Sequence, residues 1–188
     1  MSTLPGKRVH HPQNVSFLKI QKNERSGGFV QPRVANPDRA ATLKMLRALF
    51  DEKVKFLLVG AYAMAAHGYP RATMDIDIWA MPSSQNADAV LQALRRFGAP
   101  LNNLTREDLQ KDGTVFQIGV APRRIDLITS ASGLQCEGVY NRRSLSVNIE
   151  GTDVHIPSID DLIRNKRASG RTKDLADAEA LESQRNSE

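Results

Sequence analysis

The sequence predicts an α+β fold: a mixed, mainly antiparallel sheet with flanking helices and a pair of helices at its C-terminal end. Two observations carry this. Helical and strand-like periodicities first alternate and then cluster, in the order helix, strand, helix, strand, helix, several strands, two helices. Two pairs of strand-like runs are parted only by turn residues, Ala121-Pro122 and Glu150-Gly151-Thr152, which makes each pair antiparallel neighbours. At 188 residues the chain suits one domain of 36–182, preceded by an arm of 1–35 and followed by a polar tail of 183–188.

The arm mixes Pro, Gly, Ser, Gln and Asn with six basic residues and one acid, Glu24. It has no sustained periodicity beyond a short strand over 15–20, and reads as extended or mobile. It is either a solvated basic tail or an arm that contacts nucleic acid. Asn36-Pro37-Asp38 is a helix-start signal: a capping side chain, a proline at the first helical position and an acid in the first turn. Ala41, Leu43, Leu46, Leu49 and Phe50 then set an apolar face for a helix over about 37–52.

The run from Phe56 to Val59 reads as a buried strand, and the alanine-rich 61–67 as a helix. His67 ends that helix, as a C-terminal cap in preference to a ligand. A second strand runs over 74–80, and an amphipathic helix over 87–97 stops at Gly98. One helical turn is expected at 106–111. Strands follow at 114–120, 124–129, 145–149 and 154–156. Pro157-Ser158 opens a helix over 159–168, broken at Gly170, and the last helix covers 172–181. Cys136 reads as a small buried hydrophobe, since no Cys/His set surrounds it.

The chemistry concentrates on the second strand. Residues two apart on a strand share a face, so Asp75 and Asp77 are aimed together from a run otherwise apolar enough to be buried. An edge strand with both acids in water is the alternative, but Ile76, Ile78 and Trp79 leave little polar surface elsewhere. Burying two carboxylates is costly unless a positive charge lies between them. Asp126, in the strand-like run Arg124-Ile125-Asp126-Leu127-Ile128 and the one acid of an otherwise apolar strand, becomes a third acid if that strand lies beside the second. Oxygen-only ligation selects Mg²⁺ or Mn²⁺ over Zn²⁺. Two such ions about 4 Å apart serve an attacking hydroxyl and a leaving phosphate.

Gly60, between the first strand and its helix, leaves backbone N–H groups free for a phosphate. Arg71, in the loop before the acidic strand, is either a phosphate or acceptor clamp or a solvated loop arginine. Arg164, Lys166, Arg167, Arg171 and Lys173 span the last two helices and on the sequence alone read as a solvated face.

Gly60-Ala61, a helix, Asp75-Ile76-Asp77 and the later lone Asp126 resemble the nucleotidyltransferase superfamily of polymerase-β type. More narrowly, HGYPRATMDID, RIDLIT and the tail IPSIDDLIRNKRASGRTKDLADAEAL resemble minimal nucleotidyltransferases related to abortive-infection toxins of type IV toxin–antitoxin pairs. The resemblance covers 37–182 and implies the nucleotidyltransferase fold. It also implies transfer of a nucleoside monophosphate from an NTP to a hydroxyl, with pyrophosphate leaving. On that template Asp75, Asp77 and Asp126 are catalytic and bind Mg²⁺ or Mn²⁺, and Asp126 also handles the acceptor hydroxyl. Gly60, Ala61, Lys166, Arg171, Lys173 and Asp174 bind the nucleotide on it, and Arg71 joins them as a nucleotide-binding candidate from its place before the acidic strand. The superfamily carries Gly or Ser where this chain has Ala61, so the backbone donor remains and a hydroxyl contact is lost.

The acceptor is then RNA, a protein hydroxyl or a small molecule of the antibiotic kind, and an antitoxin partner follows from the toxin resemblance. A non-catalytic nucleotide or nucleic-acid binder of the same fold is the competing class, but a binder gains nothing from three like charges that repel without metal. The formal charge of +5 suits a polyanionic partner. No apolar run reaches membrane-spanning length, and a single cysteine gives no reason for an oxidising compartment, so the cytoplasm is the expected location.

Overall fold

The computed structural model describes residues 19–21, 39–70, 73, 75–101, 104–120, 123–142, 144–149 and 151–186. Its elements are β1 (Lys19–Gln21), α1 (Arg39–Asp51), β2 (Phe56–Val59), α2 (Gly60–Ala66), β3 (Ile76–Ala80), α3 (Ser84–Phe97) and α4 (Arg106–Leu109). They continue with β4 (Val115–Val120), β5 (Arg123–Ile128), α5 (Cys136–Arg142), β6 (Leu145–Ile149), β7 (Thr152–Ile156), α6 (Ile159–Ser169) and α7 (Thr172–Arg185). The helix-start signal at 36–38, Arg71, the turn at 121–122 and Glu150 lie outside the described residues, as does the strand expected at 15–20 except for its last two positions.

One seven-stranded sheet runs in the order β1-β4-β5-β3-β2-β7-β6. The pairs β1–β4, β4–β5, β2–β3 and β6–β7 are antiparallel, and β3–β5 and β2–β7 are parallel. The sheet is therefore mixed and mainly antiparallel, as the clustering of strand signals predicts.

Strand alternation divides the core into two layers. Phe56, Leu58, Ile76, Ile78, Ile125 and Leu127 point to one face, where Met45, Leu46 and Leu49 of α1, Val90 and Leu94 of α3, and Leu162 of α6 cover them. Leu57, Val59 and Trp79 point to the other face, against Cys136 and Val139 of α5. That second face is only partly roofed, and its open part carries the acidic residues.

Two differences from the sequence reading have local causes. Phe50 is 58% exposed, because the buried stripe of α1 is Met45, Leu46, Ala48 and Leu49, and at 100° per residue Phe50 falls beyond its edge. α5 was not expected: with Gly138 inside it and only Cys136 and Val139 buried, it has too little periodicity to register.

Asn86 fixes the entrance of β2 to the exit of β3. Its side chain accepts from the Lys55 N–H at 2.7 Å and donates to the carbonyls of Lys55 and Met81, both at 2.9 Å. Both ends of α6 and the stop of α3 follow their signals, while α3 begins three residues before the expected 87. Ser83 and Ser158 cap their starts, accepting from the N–H groups of Asn86 and Asp161, and Gly98 and Gly170 end them in the left-handed conformation.

Candidate active site

The register of three strands assembles the acids. Val59 pairs with Asp77 across β2–β3, Asp77 with Asp126 across β3–β5, and Asp126 with Gln117 across β5–β4. Directly paired residues share a face, so Asp77, Asp126 and Gln117 stand in one row on the partly open side of the sheet. Asp75, two residues before Asp77, continues that face. The condition set on the sequence, that the strand of Asp126 lie beside the strand of Asp77, is met by parallel pairing.

Asp75 and Asp77 edge a cavity of about 1060 Å³. Its lining includes Gly60, Ala61, Asp75 and Asp77 on the sheet side, Arg124 near the start of β5, Ser130 and Ser132 beyond its end, and Lys166, Arg171, Lys173 and Asp174 from α6, α7 and the turn between them. Of the catalytic and nucleotide-binding residues expected from the sequence, all those within the described part except Asp126 line this one space. Asp126 lies beneath it, 6% exposed.

The row is short of positive charge. Burial, and then the charges of Asp126 and Asp75, push the Asp77 carboxyl up to about 6, against partial relief from Arg124 and Lys166. One oxygen of Asp75, Oδ1, is buried without a hydrogen-bond partner. Arg124 is the nearest compensation. Its Nε donates to Asp126 Oδ1 at 2.6 Å, and its terminal nitrogen stands 3.5 Å from Asp75 Oδ2. Gln117 Nε2 donates to the other oxygen of Asp126 at 3.3 Å. Sequence reasoning missed both residues. Arg124 had a signal in its spacing, two before Asp126 and hence on the same face. Gln117 had only its polarity between the buried Phe116 and Ile118.

Among the described residues no three acid, histidine or cysteine side chains form a ready-made metal cage. A hard cation bound by one or two carboxylates, with substrate phosphates completing its shell, does not require one. An unpartnered buried carboxylate oxygen, a neighbouring acid with a raised pKa and an all-oxygen donor set fit such an ion.

Gly60 adopts φ +64°, and a methyl group built on it would collide with Oδ2 of Asp77. The glycine is thus required twice, for its backbone conformation and for the closeness of the acid. Gly60→Ala is expected to cost about 2 kcal/mol and to lower Tm by about 5 °C. Thermal unfolding followed by circular dichroism checks this, and an unchanged Tm would refute the crowding.

Opposite the acids, Lys166 is buried between Asp174, at 2.5 Å, and Asp177, at 3.1 Å. Arg171 Nε and Ser169 Oγ donate to the second oxygen of Asp174. Burial alone would raise the Asp174 carboxyl, but the hydrogen bonds from Lys166, Ser169 and Arg171 outweigh it and hold it at about 2. The basic set expected on the two terminal helices therefore divides. Lys166 is a buried, cavity-lining cation, whereas Arg164 and Arg167 sit on the outer surface in ion pairs with Asp161 and Glu182. His67 caps α2, as expected, and its Nε2 lies 2.8 Å from the Pro157 carbonyl. Cys136 is buried, and burial pushes its thiol up to about 12.

The family described as "nucleotidyltransferase of unknown function (DUF6036)" matches residues 41–184. No curated protein matches the chain. Among solved structures, the crystal structure of ANT(2″)-Ia in complex with adenylyl-2″-tobramycin is similar at 16% identity and TM-score 0.50, over 80% of this chain and 97% of that one. The solution structure of the antibiotic-resistance factor ANT(2″)-Ia is similar at 15% identity and TM-score 0.47, over 79% and 89%. A crystal structure of a candidate nucleotidyltransferase from Thermotoga maritima is similar at 18% identity and TM-score 0.45, over 81% and 98%. At such identities the likeness is one of fold.

Proposed function

The chain belongs to the nucleotidyltransferase family that matches its residues 41–184, and on that premise we propose that it moves a nucleoside monophosphate from an NTP to an acceptor hydroxyl at the row of Asp75, Asp77 and Asp126. The observation that carries this is the placing of Asp77 in register with Asp126 and against Gly60, so that acids and backbone amides meet at one end of the cavity. Lys166, Arg171 and Lys173 face them from the other side.

In this reading the triphosphate lies between the two halves. The N–H groups of Gly60 and Ala61 and the cations of α6 and α7 hold its oxygens. Asp75 and Asp77 would hold Mg²⁺ or Mn²⁺, with Asp126 as the third carboxylate, and the ion would supply positive charge to the phosphates as charge shifts onto the leaving group. The acceptor oxygen forms a bond to the α-phosphorus, and the bond from that phosphorus to the bridging oxygen breaks. Pyrophosphate leaves, and the acceptor proton passes to Asp126. Arg71 is assigned to the same phosphates from its place in the sequence alone, in the loop before the acidic strand.

A polyanionic acceptor is the first choice. The formal charge is +5, and the stretch of 1–35 contributes six basic residues against one acid. RNA ends fit this charge, and the sequence resemblance adds a role as a toxin with an antitoxin partner. Among the described residues no helix is long and apolar enough to cross a membrane.

The test incubates the purified protein with each labelled NTP, Mg²⁺ or Mn²⁺, and total RNA or a cell extract. Label in a nuclease-sensitive product supports the RNA acceptor. Label in a low-mass product from an RNA-depleted extract supports a small-molecule acceptor, the kind of product named for the ANT(2″)-Ia complex. No transfer with any NTP, beside tight NTP binding that chelator leaves unchanged, would overturn catalysis in favour of a binding protein.

A further inference from the structure

Asp126 is held from two strands at once. Arg124, on its own strand, donates to Oδ1 at 2.6 Å, and Gln117, across the β4–β5 ladder, donates to Oδ2 at 3.3 Å. An ionised carboxylate only accepts, so the carboxamide of Gln117 must present its N–H₂ to Asp126. Each oxygen keeps one further lone pair, and the carboxylate is pinned at both ends against rotation about its last bond.

Gln117 is placed for this by the fold. Its neighbours Phe116 and Ile118 are buried in the helix-covered layer, so alternation turns Gln117 to the acidic face, opposite Asp126. A structural polar residue at this position would serve equally well bonded to backbone, but the partner found here is a site carboxylate.

We propose that Gln117 is a positioning residue for the transfer reaction: with Arg124, it fixes the orientation in which Asp126 meets the acceptor hydroxyl. The inference rests on the reading of Asp126 given above. Gln117 stands on the β4 side of Asp126, away from Asp77 and Gly60, so it acts on the acceptor step and leaves NTP binding alone.

Three variants test it in the full-length protein: Gln117→Leu, which keeps volume and loses the donor; Gln117→Lys, which restores a donor; and Asp126→Asn as the reference. Gln117→Leu is expected to lower kcat about tenfold, with KM for the NTP changed less than about twofold and Tm unchanged. Gln117→Lys should regain most of that loss. An unchanged kcat in Gln117→Leu beside a slow Asp126→Asn overturns the inference alone. Full activity in Asp126→Asn overturns the reading beneath it. A crystal structure of Gln117→Leu gives an answer independent of activity: an Asp126 side chain in an unaltered rotamer overturns the positioning role, and a rotated one supports it.

Discussion

Asp77→Asn is expected to lower nucleotidyl transfer about 10³-fold while making the metal-free protein more stable at neutral pH. The two effects have one cause. Asp77 carries a carboxyl raised to about 6 by burial and by the charges of Asp126 and Asp75, so its ionised form is disfavoured by the folded site. A group whose folded pKa is raised above the unfolded value of 3.8 stabilises the fold below about pH 4, and that stability is lost as pH rises through about 6. The shift converts to at most about 3 kcal/mol. The neutral amide escapes the penalty. Wild-type Tm in chelator should therefore fall between about pH 4 and 6, and the Asn variant should stay flatter over that window. Added Mn²⁺ should raise the wild-type Tm at pH 7.5 and leave the variant almost unmoved. Near-normal transfer by the variant, or a variant less stable than wild type at pH 7.5, would remove Asp77 from the role proposed for it.

The sequence carried the acidic site further than it carried its surroundings. Asp75 and Asp77 are legible because strand alternation is local: two residues apart is enough to place both on one face. Asp126 is legible as an anomaly, a lone charge in an apolar strand, but its place beside Asp77 is a parallel pairing between strands about fifty positions apart in the chain. No local pattern fixes such a register. The same holds for Gln117, whose meaning depends on which residue lies across the ladder, and for Asn86, which reads as an ordinary helix residue until β2 and β3 pass beside it. Arg124 is the instructive miss, since its face follows from the same two-residue rule that located the aspartates. Phe50 shows the opposite failure. Its spacing fits an apolar helix face, but the width of the buried stripe is set by neighbours that the helix alone does not specify.

Lys166→Met is expected to destabilise the fold by about 3–5 kcal/mol at pH 7, because it removes the buried cation that Asp174 and Asp177 share and leaves Asp174 to Arg171 and Ser169. The pH dependence identifies the cause. Asp174 has a folded pKa depressed to about 2 from 3.8, so its contribution is present above about pH 4 and is lost as pH falls through about 2. That contribution is about 2 kcal/mol in all, and the gap between wild type and variant should narrow on acidification by the share of it that Lys166 supplies, the rest staying with Ser169 and Arg171 in both proteins. Lost packing of the lysine stem would give a gap independent of pH. Neutralising the partners separates structure from chemistry. The triple variant Lys166→Met, Asp174→Asn, Asp177→Asn no longer buries an uncompensated charge and should recover most of the stability. If Lys166 also holds the triphosphate, the triple variant should still transfer about 10²-fold more slowly than wild type, with the loss carried largely by the NTP-dependent steps. Recovery of transfer together with stability would make the lysine a strut between α6 and α7. Recovery of stability alone would make its two aspartates the groups that hold a phosphate ligand in place before the nucleotide arrives.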